Sequence, residues 1–188
     1  MSSSSNFRIY VDTEYAYPGM RKGTPRPTAA DTRQIIQIAA IRWDIAEGKE
    51  AGSFDMLVLP TYLKTLPPFF TELTAITLEE VMSKGMPLNR ALKLFREFCK
   101  DDAIWTFDKD EEVFRQNCGY IDMSFPFKVH FIRVKPLLAQ WGVDPAMYSS
   151  GTLYKAAGLL MKGHVHNALH DVRSMAMAVH TFEKRHRN

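Results

Sequence analysis

Phe7-Arg8-Ile9-Tyr10-Val11-Asp12-Thr13-Glu14 is the stretch on which the fold turns. Side chains alternate across a strand, so Phe7, Ile9 and Val11 share one face, and Tyr10, Asp12 and Glu14 the other. Two carboxylates therefore project side by side from an otherwise apolar strand. They repel, and burying them without compensation is costly. Two readings stand: the pair faces solvent on an edge strand, or a divalent cation holds it. Hard oxygen ligands of this kind suit Mg²⁺ or Mn²⁺.

Working outward, residues 15–34 form a long Gly-, Pro- and Thr-rich loop carrying Arg21, Lys22, Arg26 and Arg33. Its cations either steer a phosphate backbone or simply solvate a loop. Residues 35–43 are a near-continuous apolar run, as expected of a central strand covered on both faces. A turn at 46–49 leads to a third strand over 53–59, closed by Pro60. Three strands with short connections predict an antiparallel meander.

The second half changes rhythm. Residues 88–100 place Leu88, Ala91, Leu92, Phe95 and Phe98 on one helical face. Strands are expected at 103–107 and 127–134, and helices at 111–118, 153–160 and about 167–184. The last of these carries Met175, Ala178, Val179 and Phe182 as its core stripe. The predicted fold class is α/β: a mixed sheet, the meander extended by parallel strands, flanked by helices.

Bulk composition fits one domain of 188 residues, 46% hydrophobic and 24% charged. The expected organisation is a disordered lead at 1–6, a single domain over 7–184 and a basic tail at 185–188. The net charge of +3 permits a polyanionic partner without demanding one. Cys99 and Cys118 read as reduced, packed thiols. No apolar run reaches the roughly 18–20 residues of a membrane span, and the serine-rich start has no apolar signal region, so the expected location is cytoplasmic.

Two further segments carry chemistry. His166-Asn167-Ala168-Leu169-His170-Asp171 sets a histidine just before a helix and a carboxylate in its first turn. Asp171 either complements the helix dipole or ligates a metal; His166 is a proton acceptor near neutral pH. Between the two ends, Asp108 and Asp110 stand where a strand passes into a helix, a place where an aspartate is often a cap.

Together these residues resemble the DEDDh, DnaQ-like branch of the 3′–5′ exonucleases, which have the ribonuclease H-like fold. Asp12-Thr13-Glu14 matches the family's D-x-E, and the segment from His166 to Asp171 its H-x-A-x-x-D. The segment from Phe107 to Val113 is similar to F-G-x-D-x-x-V in relatives of the KapD and histone-mRNA exonuclease type. That match makes Asp110 the functional aspartate, sets Asp108 in place of glycine and leaves Asp108 as the alternative ligand. The segment from Phe70 to Thr77 resembles the family's L-T-G-I-T, with Ala75 where glycine is usual.

The resemblance implies hydrolysis with two divalent ions, Mg²⁺ or Mn²⁺, about 4 Å apart. Asp12 bridges both, Glu14 and Asp171 complete the site of the nucleophilic metal, Asp110 holds the second, and His166 is the general base. The implied partner is single-stranded nucleic acid with a free 3′ end, RNA ahead of DNA, released as 5′-nucleoside monophosphates. Thr13, Tyr15, Phe70, Leu73 and Asn167 are the substrate-binding candidates. Tyr15, Tyr17 and Phe70 either stack bases or pack; Leu73 either wedges between the last two bases or belongs to the core. A homodimer is compatible with the sequence. The rivals are a phosphodiesterase of dinucleotides or oligonucleotides on the same site, and a nucleic-acid-binding module without chemistry.

Overall fold

The computed structural model describes residues 5–23 and 32–187. Arg26, one of the cations of the loop, lies outside the described residues, as do 1–4 of the lead. Ser5 and Asn6 already engage the fold: the Ser5 hydroxyl bonds the Asp102 carboxylate, and the Asn6 carbonyl accepts from the Ile45 N–H at 3.0 Å.

Strands β1 (Phe7–Ala16), β2 (Gln34–Asp44) and β3 (Lys49–Leu57) form the expected antiparallel meander. β1 is longer than its sequence pattern suggests and takes in Tyr15, read above as loop. A register shift at Glu14/Tyr15 accompanies this extension. β3 begins earlier than expected, because the turn is tight at Gly48 (φ 64°) and pairing resumes at Lys49↔Asp44.

β4 (Ile104–Thr106) joins the other edge of β1 in parallel, and β5 (Phe131–Arg133) joins β4 in parallel. The order is β3-β2-β1-β4-β5, a mixed five-stranded sheet among the described residues. The strand expected over 127–134 shortens to three residues. β4 offers it only three partners, and Phe127 instead buries its ring against Phe95 and Phe114.

Helices α1 (Pro68–Thr74), α2 (Leu78–Lys84), α3 (Leu88–Cys99), α4 (Asp110–Gly119), α5 (Lys135–Leu138), α6 (Leu153–Ala156) and α7 (Ala168–Arg187) surround the sheet. Ile9 and Val11 pack with Leu92, Phe95 and Phe114 of α3 and α4 on one face. Tyr10, Ile41 and Trp43 pack with Met175, Val179 and Phe182 of α7 on the other. Ion pairs Arg8–Glu183 and Arg173–Glu50, at 2.9 and 2.8 Å, tie α7 to β1 and β3. The helix expected over 153–160 is a single turn, since Gly158 adopts φ 70° two residues after it ends, and Leu160 is exposed. The basic tail continues α7: Arg185 donates to the Ala157 carbonyl at 2.8 Å. Among the described residues no helix is long and apolar enough to cross a membrane.

Candidate metal and nucleic-acid site

β4 stops at Thr106, whose partner on β1 is Val11, so the next residues of β1 have no neighbouring strand on that side. The cleft opens there. Asp12 and Glu14 come from β1, Asp110 from the first turn of α4, Asp171 from the first turn of α7, and His166 from the segment before it. All five line one cavity of about 610 Å³. The Asp12, Glu14, Asp110 and Asp171 side chains are nearly inaccessible, at 2–9% exposure.

Hydrogen bonds hold two of the four carboxylates, Asp110 and Asp171. The Thr13 N–H and hydroxyl both donate to Asp110 Oδ1, at 3.2 and 2.8 Å, coupling the start of α4 to β1. Asp171 accepts from the Ser150 hydroxyl and from the His166 N–H, each at 3.3 Å. Gly151, next in that short turn, lies so close that a Cβ there would stand 2.2 Å from Asp171 Oδ1. His166 itself has φ 69°, a left-handed conformation that non-glycine residues adopt at a cost, and strain of this kind collects at functional sites.

Electrostatics complete the picture. Burial first, then repulsion from Asp110, Asp171 and Glu14, pushes Asp12 well above the usual carboxylate range. Glu14 rises for the same reasons, burial leading. Burial lifts Asp110 to about 6, against the opposing bonds from Thr13. It lifts Asp171 to about 7, against those from His166 and Ser150. Burial, then His164, lowers His166 and keeps its imidazole neutral. None of the ion pairs among the described residues involves any of the four acids. Four buried carboxylates without a protein cation fit a divalent ion: one ligand atom each from Glu14, His166 and Asp171 lie within 4.8 Å of one another.

Asp108 also lines the cavity, but its carboxylate pairs with Lys135 at 3.1 Å, whereas Asp110 takes both bonds from Thr13. Its backbone is not left-handed, so the loss of glycine costs nothing there. Of the substrate candidates, Thr13, Tyr15 and Leu73 line the cavity, and Leu73 is half-buried, not core.

Two candidates are corrected. Phe70 is 0% exposed and packs with Ala16, Ile36, Ile76 and Val81; α1 turns it inward, and Phe69 lines the cavity in its place. Asn167 is exposed and spends its side chain on the start of α7, accepting from the His170 N–H at 3.1 Å. Sequence reading missed Phe69 and Ser150. Phe69 adjoins Phe70, and seven helical residues give too short a period to choose between them. Ser150 had no motif to mark it.

Comparison with known proteins follows the same lines. The sequence model of the family described as Exonuclease (RNase_T) matches residues 11–179. The chain is 28% identical over 152 residues to the PolC-type DNA polymerase III of Streptococcus pneumoniae, covering 80% of this chain and 10% of that protein. It is 24% identical over 164 residues to the 3′-5′ exonuclease Snipper of Drosophila melanogaster, covering 76% of this chain and 58% of Snipper. The chain thus spans about a tenth of the first relative and somewhat over half of the second. The nuclease domain of 3′hExo, a DEDDh family member whose structure was solved bound to rAMP, superposes with a TM-score of 0.82 at 16% identity, over 97% of this chain and 95% of that one.

Proposed function

Because this chain belongs to the exonuclease family whose model spans residues 11–179, we propose that it is a 3′–5′ exonuclease acting on single-stranded nucleic acid, RNA ahead of DNA, and releasing 5′-nucleoside monophosphates. The observation that carries the reading is the convergence of Asp12, Glu14, Asp110 and Asp171 with His166 on one cavity wall. The four carboxylates would hold two divalent cations, Mg²⁺ or Mn²⁺. Bound there, such ions supply Lewis-acid activation of a water and stabilise the departing 3′ oxygen.

The chain's own residues do the rest. His166 Nδ1 or Nε2, neutral because burial lowers its basicity, accepts the proton of the attacking water. The water oxygen bonds to phosphorus as the P–O3′ bond breaks, and the leaving 3′ oxygen takes a proton from solvent. Thr13 orients Asp110, and Ser150 orients Asp171. Tyr15, Tyr17, Phe69 and Leu73 give the cavity the apolar surface on which unpaired bases stack. The preference for RNA rests on the likeness of the motifs to RNA-degrading relatives.

The test uses 5′-labelled RNA and DNA of one sequence, with Mg²⁺, Mn²⁺ or chelator, beside Asp12→Ala. A metal-dependent ladder shortening from the 3′ end and absent from the variant is expected, faster on RNA. A folded wild type that shortens neither polymer sinks the reading.

A further inference from the structure

Among the described residues, four cationic side chains line the cavity: Arg21, Arg33, Lys109 and Lys135. Arg21 and Lys109 are exposed, and Lys135 is paired with Asp108. Arg33 differs. It is only 4% exposed, yet among the described residues no aspartate or glutamate forms an ion pair with it.

Arg33 is held in place with care. Its Nε donates to Gln116 Oε1 at 2.9 Å, and its guanidinium carbon lies 5.9 Å from the Tyr15 ring centre. Asn117 clamps the backbone on both sides of Gln34: its amide donates to the Arg33 carbonyl at 2.9 Å, and its oxygen accepts from the Ile35 N–H at 3.0 Å. α4 thus presents a preorganised guanidinium to the cavity. Taking such a charge out of water without a counter-charge is costly. A planar fork of donors suits a phosphate, which it binds through two parallel bonds.

The register says which phosphate. Gln34, next to Arg33, pairs with Ala16, whereas Asp12 pairs with Ala39. Four strand residues separate Ala16 from Asp12, about 13 Å. The Arg33 backbone thus starts well away from Asp12, beside Gln116 and Asn117 in the C-terminal half of α4 rather than beside Asp110 at its start.

We infer that Arg33 is a specificity-determining residue that binds an internucleotide phosphate 5′ of the scissile one, so that the enzyme selects oligonucleotides of three or more nucleotides over dinucleotides. This rests on the exonuclease reading. A dinucleotide with a 5′-hydroxyl has one phosphodiester, the one that is cut, and leaves Arg33 unused.

The experiment measures kcat/KM on 5′-hydroxyl oligonucleotides of two to eight residues for wild type, Arg33→Gln and Arg33→Lys. Wild type gains on passing from two residues to longer chains. Arg33→Gln loses about 10-fold or more on the longer chains, as expected for a charged hydrogen bond, and keeps its dinucleotide rate. Arg33→Lys recovers part of the loss. Equal loss at every length, or no loss at any, overturns the inference. The dinucleotide rate also serves as the check on folding.

A second measurement stands apart from catalysis. Anisotropy of a labelled octanucleotide in chelator, titrated with salt, should show the dependence of log affinity on log salt shallower by about 0.7 in Arg33→Gln, the share of one single-strand phosphate. If wild type hydrolyses no length, the exonuclease reading fails, and this slope alone decides Arg33: an unchanged slope, or no binding by wild type, overturns it.

Discussion

Two aspartates two residues apart, Asp108 and Asp110, behave differently because one is anchored to β1 and the other to a lysine. Thr13 holds Asp110 against the other acids, while Lys135 neutralises Asp108. Asp110→Asn is expected to lower Mg²⁺-dependent kcat by on the order of 100-fold or more, as loss of several kcal/mol of charge stabilisation implies. Asp108→Asn should cost less than about 5-fold, since it removes a part-exposed ion pair. Steady-state rates of both variants decide, and a larger loss from Asp108→Asn would reverse the assignment. In the sequence the two were separable only by a motif match, because either aspartate stands at a strand–helix junction. Asp12, Glu14, His166 and Asp171 stood out by spacing as candidates, each with a bland alternative, and only the resemblance of the three motifs together chose between the readings. Of the two readings open for Phe70 the structure takes packing, and sequence adjacency does not say which of two phenylalanines a short helix turns inward.

At the level of elements, long periodic segments were readable and short ones were not. β2, α3 and α7 announced themselves through sustained apolar patterns. α1 and α2 are seven residues each, β5 is three and α6 four, too few to display a period, and their existence depends on what they pack against. Two backbone positions test this reliance on local geometry. Ala75 ends α1 at φ 63°, which explains why glycine is usual there. Left-handed alanine costs about 1–2 kcal/mol, and glycine gives back part of the difference through unfolded-chain entropy. Ala75→Gly should raise Tm by roughly 1–4 °C, read by calorimetry; a fall would mean the turn is not strained. Gly151 is the opposite case. A Cβ there meets Asp171 oxygens at 2.2 and 2.7 Å, so Gly151→Ala must displace the carboxylate or the turn. The expected result is a roughly 10- to 100-fold loss of Mn²⁺ affinity, followed by titration calorimetry. Unchanged affinity would show that Asp171 is not a ligand.

Across the whole molecule, the two halves of the chain each contribute acids to a site that neither forms alone, and the fold carries their mutual repulsion. The mixed sheet and its flanking helices followed from alternation and helical stripes; the strand order and the crowding of charge at the open edge did not, since they depend on distances between elements remote in sequence. That crowding predicts an unusual pH response. Asp110 and Asp171 titrate near 6 and 7 in the folded chain against an ordinary 3.8, both chiefly through burial. The folded state therefore binds protons that the unfolded state has released between about pH 4 and 7. Stability from these groups is full below pH 4 and is lost as pH rises through 6 to 7. In chelator, Tm should fall by about 3 °C or more between pH 5.5 and 8. Asp171→Asn removes the charge; its Oδ1 keeps the bond from the His166 N–H while its Nδ2 donates to the Ser150 hydroxyl, so in chelator at pH 8 it should melt above wild type while being inactive. Divalent ions bind the deprotonated carboxylates, so Mg²⁺ should stabilise wild type more at pH 8 than at pH 5.5, and Asp171→Asn less at either. Thermal melts across pH, with and without Mg²⁺, read all three. A chelated wild type whose Tm rises steadily from pH 5.5 to 8 would mean that the acids are not crowded in solution and that the site is not built for cations.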